Sequence, residues 1–145
     1  MARRARGSKL GLLVDTNVLL DIILDRMPWA SDAALVLDTI SRGSARGFVA
    51  AHAVTTVYYV VEKEAGRAAA NTAVADLLQL VSVVAIGAAE LQRALAMRLG
   101  DFEDAVQAAA CLSAGADYLV TRNAKDFKGA PVLTRKPGEV LASLV

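Results

Sequence analysis

Two kinds of apolar pattern alternate along the chain. Short, mainly hydrophobic runs lie at residues 10–14, 47–51, 81–86 and 117–121, and these predict buried strands. Between them run longer segments whose apolar positions recur at three- and four-residue spacing. Ala30, Ala33, Ala34, Leu37 and Ile40, for example, line one face of a helix over 29–41. The same reading predicts helices at 16–24, 54–64, 67–80, 88–99, 102–114 and 138–144, a turn at 43–46 and a short fifth strand at 132–133. Met27-Pro28, Gly66, Gly100 and Gly115 supply the breaks. Strands without polar alternation, each joined to the next by helices, describe an α/β fold whose mainly parallel sheet is covered on both faces.

Composition narrows this to one domain. The 145 residues are 55% hydrophobic and 21% charged, with three prolines and no Gly/Ser-rich linker or repeat. A chain of this length buries roughly 70% of the surface it would expose unfolded. The net charge of +1 conceals an asymmetry, because Arg3, Arg4, Arg6 and Lys9 form a basic arm over 1–9. The single domain expected over 10–145 then carries 12 positive and 15 negative groups. Such a mildly acidic body does not point to bulk nucleic-acid binding, and the arm is expected to be disordered. Apolar runs stop at Asp15, Asp21, Asp25, Glu62 or Gln79, short of a membrane span, and no secretory signal is expected. One cysteine and one histidine exclude a disulfide framework and a His/Cys zinc site. The reducing cytoplasm is therefore the expected compartment. A Ser/His or Cys/His hydrolase would depend on His52 alone, which reads better as a capping or packing residue, and Cys111 reads as core.

In a parallel sheet, ligands bind beyond the carboxyl ends of the strands. Asp15 follows the first strand directly. Asp101, Glu103 and Asp104 surround the start of the 102–114 helix, and Asp126 lies in the loop after the fourth strand. Three distant segments thus deliver carboxylates to one predicted rim. Each has a structural explanation: Asp15 as a helix cap, Asp101 with Asp104 as a capping box, Asp126 as a turn residue. Together, they match the oxygen donors that a hard divalent cation requires, and crowded carboxylates need such a cation to relieve their repulsion.

The segments around these acids resemble a known family. Val14-Asp15-Thr16-Asn17-Val18-Leu19-Leu20-Asp21 is similar to the opening motif of PIN-domain ribonucleases. The run from Asp101 to Ala110 resembles the family's third-acid helix, and that from Leu119 to Phe127 its final strand and loop. The likeness is greatest to VapC-like toxins of bacterial toxin–antitoxin pairs. It implies a three-layer α/β/α sandwich and an endoribonuclease dependent on Mg²⁺ or Mn²⁺, leaving a 5′-phosphate and a 3′-hydroxyl. By the same resemblance, Asp15 and Asp104 are the principal metal ligands, Asp126 a further catalytic acid and Asp101 a supporting one. Thr16 and Asn17 orient Asp15, and Thr121 and Asn123 line the cleft. An antitoxin partner and a homodimer follow from the resemblance too.

Two positions depart from the pattern. Counting along the helix after the second strand places Tyr58 where the family has a Glu, with Glu62 one turn later as a substitute. Asn123 stands where an Asp is common, which removes a charge. These departures motivate an alternative, a degenerate PIN domain that binds RNA or protein without cutting. Arg122 and Lys125 flank the last loop and are candidates for holding RNA phosphates. Tyr58, Tyr59 and Trp29 read as packing residues, with base stacking as the functional alternative. A phosphotransferase with Asp15 as nucleophile is disfavoured, since haloacid-dehalogenase-like enzymes place a second Asp where Asn17 stands.

Overall fold

The computed structural model describes residues 9–144. The basic arm expected over 1–9 therefore lies, apart from Lys9, outside the described residues. Five strands form one sheet: β1 (Leu10–Val14), β2 (Ala45–Ala50), β3 (Ser82–Val84), β4 (Tyr118–Val120) and β5 (Thr134–Arg135). Their order is β3-β2-β1-β4-β5, and every neighbouring pair is parallel. The helices are α1 (Thr16–Ile23), α2 (Ala30–Ser41), α3 (Ala51–Ala65), α4 (Arg67–Leu80), α5 (Ala88–Met97), α6 (Phe102–Ala114) and α7 (Pro137–Ser143).

Pleating of β1 divides the molecule. Leu10, Leu12 and Val14 join one core with residues of α1, α2, α3, α4 and α7. Leu13 faces the other way and packs with Leu119, Phe127 and the small side chains of α6, and α5 in turn packs on α6. With all five residues buried, β1 is the centre of an α/β/α sandwich. Residues Ala105 to Cys111 are all buried, and the alanines let α6 approach both the sheet and α5 closely. Gly47 has a similar role, since a Cβ there would lie 2.8 Å from Ile40 Cγ2 of α2.

Several boundaries differ from the sequence expectation. The turn after α2 is complete by Ser44, and β2 starts at Ala45 because its first residues pair with Leu10 and Gly11. β3 covers only 82–84, the part that pairs with β2. α3 begins at Ala51, directly after its strand. α5 stops at Met97 rather than near Gly100, with Arg98 in the left-handed conformation at φ 56°. β5 falls at 134–135 rather than 132–133, because the ladder to Leu119 and Val120 sets the register, not the β-branched Val132. α7 opens on Pro137, whose missing N–H costs nothing at a first helical position, while Glu139 accepts from the Lys136 N–H at 2.8 Å.

Candidate active site

The strand order reverses beside β1. From β1 the chain proceeds to β2 and β3 on one side, then crosses to β4 and β5 on the other. The carboxyl ends of β1 and β4 consequently flank the crevice where such sheets bind ligands. Asp15 ends β1, and its backbone N–H donates to Val120 O at 3.0 Å, tying the two strand ends together. Its side chain, 4% exposed, makes no capping bond to α1. Instead it accepts from Thr121 Oγ1 at 2.9 Å and, more distantly, from Gln107 Nε2 at 3.5 Å. Burial raises the Asp15 pKa, outweighing the Thr121 hydrogen bond that opposes the shift.

The second set of acids comes from the start of α6. Asp101 is the N-cap, accepting from the Asp104 N–H at 3.1 Å, so the structural role foreseen for it is real. Glu103 and Asp104 occupy the first turn. Asp126 lies in a short 3₁₀ turn, Ala124–Phe127. Asp15, Asp101, Glu103, Asp104 and Asp126 all line one cleft of about 380 Å³, beside Gln107 and Arg26. Asp104 records the crowding: burial, then repulsion from Asp101, Asp15, Asp126 and Glu103, pushes its pKa up to about 7.

The PIN domain profile matches residues 11–125, which includes nearly all of β1 and every cleft residue named above except Asp126. The chain belongs to the PIN-domain family. By sequence, no curated protein is a significant match. Solved structures share the fold at low identity. The VapBC2 complex from Rickettsia felis, bound to a promoter DNA fragment, aligns with a TM-score of 0.70 at 16% identity, over 88% of this chain and 98% of that one. A toxin–antitoxin complex from Klebsiella pneumoniae gives 0.66 at 22% identity, over 87% and 97%. VapC20 of Mycobacterium tuberculosis, described as a Sarcin-Ricin loop cleaving toxin, gives 0.66 at 18%, over 84% and 96%.

Within this PIN domain, most residues singled out in the sequence meet at the cleft. Thr16, Asn17 and Asn123 line it. Thr121 lies beneath it, fully buried, donating to Asp15 while accepting from the Asn123 N–H at 3.0 Å. Three residues singled out in the sequence, Glu62, Tyr58 and Arg122, lie outside the cleft lining. Glu62 is half-buried and pairs with Arg67 at 3.9 Å, and it does not line the cleft. The α3 positions that line the cleft are Thr56 and Val60, whereas Tyr58 packs against the core. Arg122 does not reach into the cleft: it donates to Asp21 at 2.8 and 3.4 Å and lies over the Trp29 ring at 4.1 Å. Lys125 borders an adjoining hollow with Arg98 and Lys128, whose wall includes Asp101, Asp104 and Asp126.

Four contributors were not assigned from sequence. Glu103 accepts from Thr56 Oγ1 at 3.3 Å and so brings a carboxylate to the place where α3 offers none. Arg26 lines the cleft while sitting 3.9 Å from Asp21. Gln107 donates to Thr16 Oγ1 at 2.8 Å as well as to Asp15. Its position three residues beyond Asp104, on the same helix face, was the available signal. Thr56 had none, because nothing in one sequence says which side of α3 faces the acids. His52 is half-buried and held neutral by that burial, which agrees with a packing role. Burial pushes the Cys111 thiol up to about 12, so it is no nucleophile.

These side chains fit a hard divalent cation. All the acids present oxygen, and Gln107 Oε1 on the same wall is buried without a hydrogen-bond partner among the described residues. No three His, Cys, Asp or Glu side chains among the described residues stand as a ready-made ligand set. Mg²⁺ does not need one, since it takes one or two carboxylates and keeps several waters.

Proposed function

We propose that this PIN domain is a Mg²⁺- or Mn²⁺-dependent endoribonuclease, the toxin of a toxin–antitoxin pair acting in the cytoplasm. The observation that carries the reading is the convergence of Asp15, Asp101, Glu103, Asp104 and Asp126 on one cleft at the switch point, a crowding that also raises the Asp104 pKa. Asp15, Asp104 and Asp126 would hold the cation, with Asp101 and Glu103 beside them. When bound, the cation supplies charge stabilisation at the scissile phosphate and lowers the pKa of an attacking water. Thr121 and Gln107 fix the Asp15 carboxylate, and Asn17 and Asn123 offer uncharged hydrogen-bonding groups to the substrate. Arg26 supplies a positive charge on the cleft wall, and Arg98, Lys125 and Lys128 give the RNA backbone a basic path on one side.

The likeness to VapBC complexes supports an antitoxin partner, and a groove of about 600 Å³ offers it a seat. Ile22, Ile23, Leu24, Leu37, Leu77 and Leu80 line that groove, as an amphipathic segment would require. No helix among the described residues is long and apolar enough to cross a membrane. A homodimer is supported by Leu91 and Leu95, exposed four residues apart on α5, with Leu95 70% exposed.

The deciding experiment incubates the purified protein with total RNA, with and without Mg²⁺ or Mn²⁺, and maps the new ends. Metal-dependent cleavage to 5′-phosphate ends, lost in Asp15→Asn and Asp104→Asn, is expected. The second reading, a non-cleaving RNA- or protein-binding module, is favoured by Tyr58 and Asn123, at positions where the family resemblance implies acids, and by the lack of a carboxylate on the α3 residues lining the cleft, Thr56 and Val60. It predicts no cleavage with either metal and RNA affinity unchanged by Asp15→Asn.

A further inference from the structure

Beside the acid cleft lies a second hollow of about 550 Å³, within the roughly 300–1,000 Å³ range of small-ligand sites. Trp29 forms one wall and is 44% exposed, immediately ahead of α2. Arg122 lies over one face of its ring at 4.1 Å and is itself held by Asp21, which leaves the opposite face for a stacked base. Asp21, only 1% exposed, is committed to Arg122 and to Arg26. Glu139 is committed to the Lys136 N–H. This leaves Asp32 and Lys136 as the charged side chains of the hollow with no hydrogen bond or ion pair among the described residues. Gly138 leaves room for the Asp32 carboxylate, since a Cβ there would stand 3.0 Å from Asp32 Oδ2.

We propose that this hollow is a base-reading subsite for one unpaired guanine, stacked on Trp29, with its Watson–Crick edge read by Asp32 and Lys136. The proposal rests on the ribonuclease reading above. An indole face stacks on any base, so it contributes affinity without selection. Selection comes from the edge. A carboxylate offers two acceptors in one plane, matching the parallel N1–H and N2–H donors of guanine. Adenine and cytosine set a ring-nitrogen lone pair against one of those oxygens, and uracil presents a single N–H between two carbonyl oxygens. The Lys136 ammonium has only donors, suited to guanine O6. The hollow also adjoins the chemistry: Arg122 borders it, while the next residue, Asn123, lines the acid cleft. Asp21 bridges the same two places through Arg122 and Arg26. A strand whose scissile phosphate lies at the acids can therefore place a neighbouring base on Trp29.

Trp29 is the only tryptophan in the chain, so its fluorescence reports on this site alone. The full chain carrying Asp104→Asn is titrated with labelled short oligouridine and with versions bearing one central G, A or C. Anisotropy of the label and emission of Trp29 are both followed. The G-containing oligonucleotide is expected to bind about tenfold tighter than the others and to quench Trp29. Asp32→Asn should level the four affinities while the quenching persists, Gly138→Ala should reduce the guanine preference, and Trp29→Ala should weaken the G-containing RNA about tenfold. Binding with unchanged Trp29 emission, equal affinity for all four, or a guanine preference that survives Asp32→Asn would each overturn the subsite and leave the nuclease reading standing. Failure to bind any of these RNAs while total RNA also stays uncut would overturn both.

Discussion

Asp104→Asn in metal-free buffer should stabilise the fold, and by an amount that depends on pH. The folded-state pKa is about 7, against about 3.8 for an ordinary carboxylate. Below about pH 3.8 the group is neutral whether the chain is folded or not, so Asn and Asp should be equivalent. As pH rises, the unfolded chain ionises first, and wild-type stability falls until the folded group ionises near pH 7. Above that the penalty is constant. Three units at about 1.4 kcal/mol each give about 4 kcal/mol. Because Asp104 remains half exposed, solvent screening reduces this to about 2 kcal/mol. In a chain of this size that corresponds to about 6 °C in Tm. Asp101 caps the backbone N–H of residue 104, which the substitution retains, so no helix cap is lost. The assay is thermal or urea unfolding of both proteins with EDTA from pH 3.5 to 8.5. Added Mg²⁺ should then narrow the gap by stabilising the wild type more than the variant. A variant less stable than wild type at pH 8, or a gap that does not change with pH, would refute the reasoning.

Four further outcomes follow from the same geometry. Gln107→Ala and Thr121→Val should each lower metal affinity or cleavage about 10–100-fold with little change in the RNA bound, measured by Mg²⁺ titration of the rate. Thr56→Glu, which adds an acid on the cleft face of α3, should tighten Mn²⁺ binding in calorimetry while lowering Tm in EDTA. Arg122→Ala should cost about 2–3 kcal/mol in urea unfolding, because it leaves the buried Asp21 carboxylate with only the distant Arg26. A purely RNA-contacting Arg122 would instead leave stability unchanged. Leu95→Glu should convert a dimer to a monomer in sedimentation while RNA cleavage chemistry persists.

What the sequence makes legible here is what depends on local pattern. The apolar run at Leu10–Val14, with Asp15 directly after it, identifies both the central strand and the first acid. The parallel, doubly covered sheet follows from strands lacking polar alternation. The facing of α3 is not legible, because its apolar residues are spread around the helix, with Val57 and Val61 buried but Val60 and Thr56 on the cleft. Counting along one sequence therefore cannot tell which α3 residues face the cleft, and Thr56 and Val60 do so while Tyr58 packs against the core. The partners of Arg122 are not legible for a related reason: a loop cation beside an active-site motif reads as a substrate contact, while Asp21 and Trp29, which it touches here, are about 100 residues away. A glycine at position 100 reads as the end of α5, yet the helix ends at Met97 with Arg98 in the left-handed position.

At Asp101 a capping role and a place on the cleft wall coexist. Asp15 stands at the N-cap of α1, and Asp101, Glu103 and Asp104 lie at or just inside the start of α6. Two helix N-termini thus converge on the cleft, and each offers a partial positive charge worth about 0.3–1 kcal/mol to a nearby carboxylate. That offsets part of the roughly 2 kcal/mol that ionising Asp104 costs above pH 7, and the Thr121 hydrogen bond lowers the cost of ionising Asp15. The remainder is not offset by Arg26, which is already shared between Asp21 and Glu64. A cleft built only for stability would carry an amide in place of one of these carboxylates. Keeping five of them in one cleft leaves a negative charge that the fold tolerates but does not neutralise, and a divalent cation is the counter-charge suited to oxygen donors.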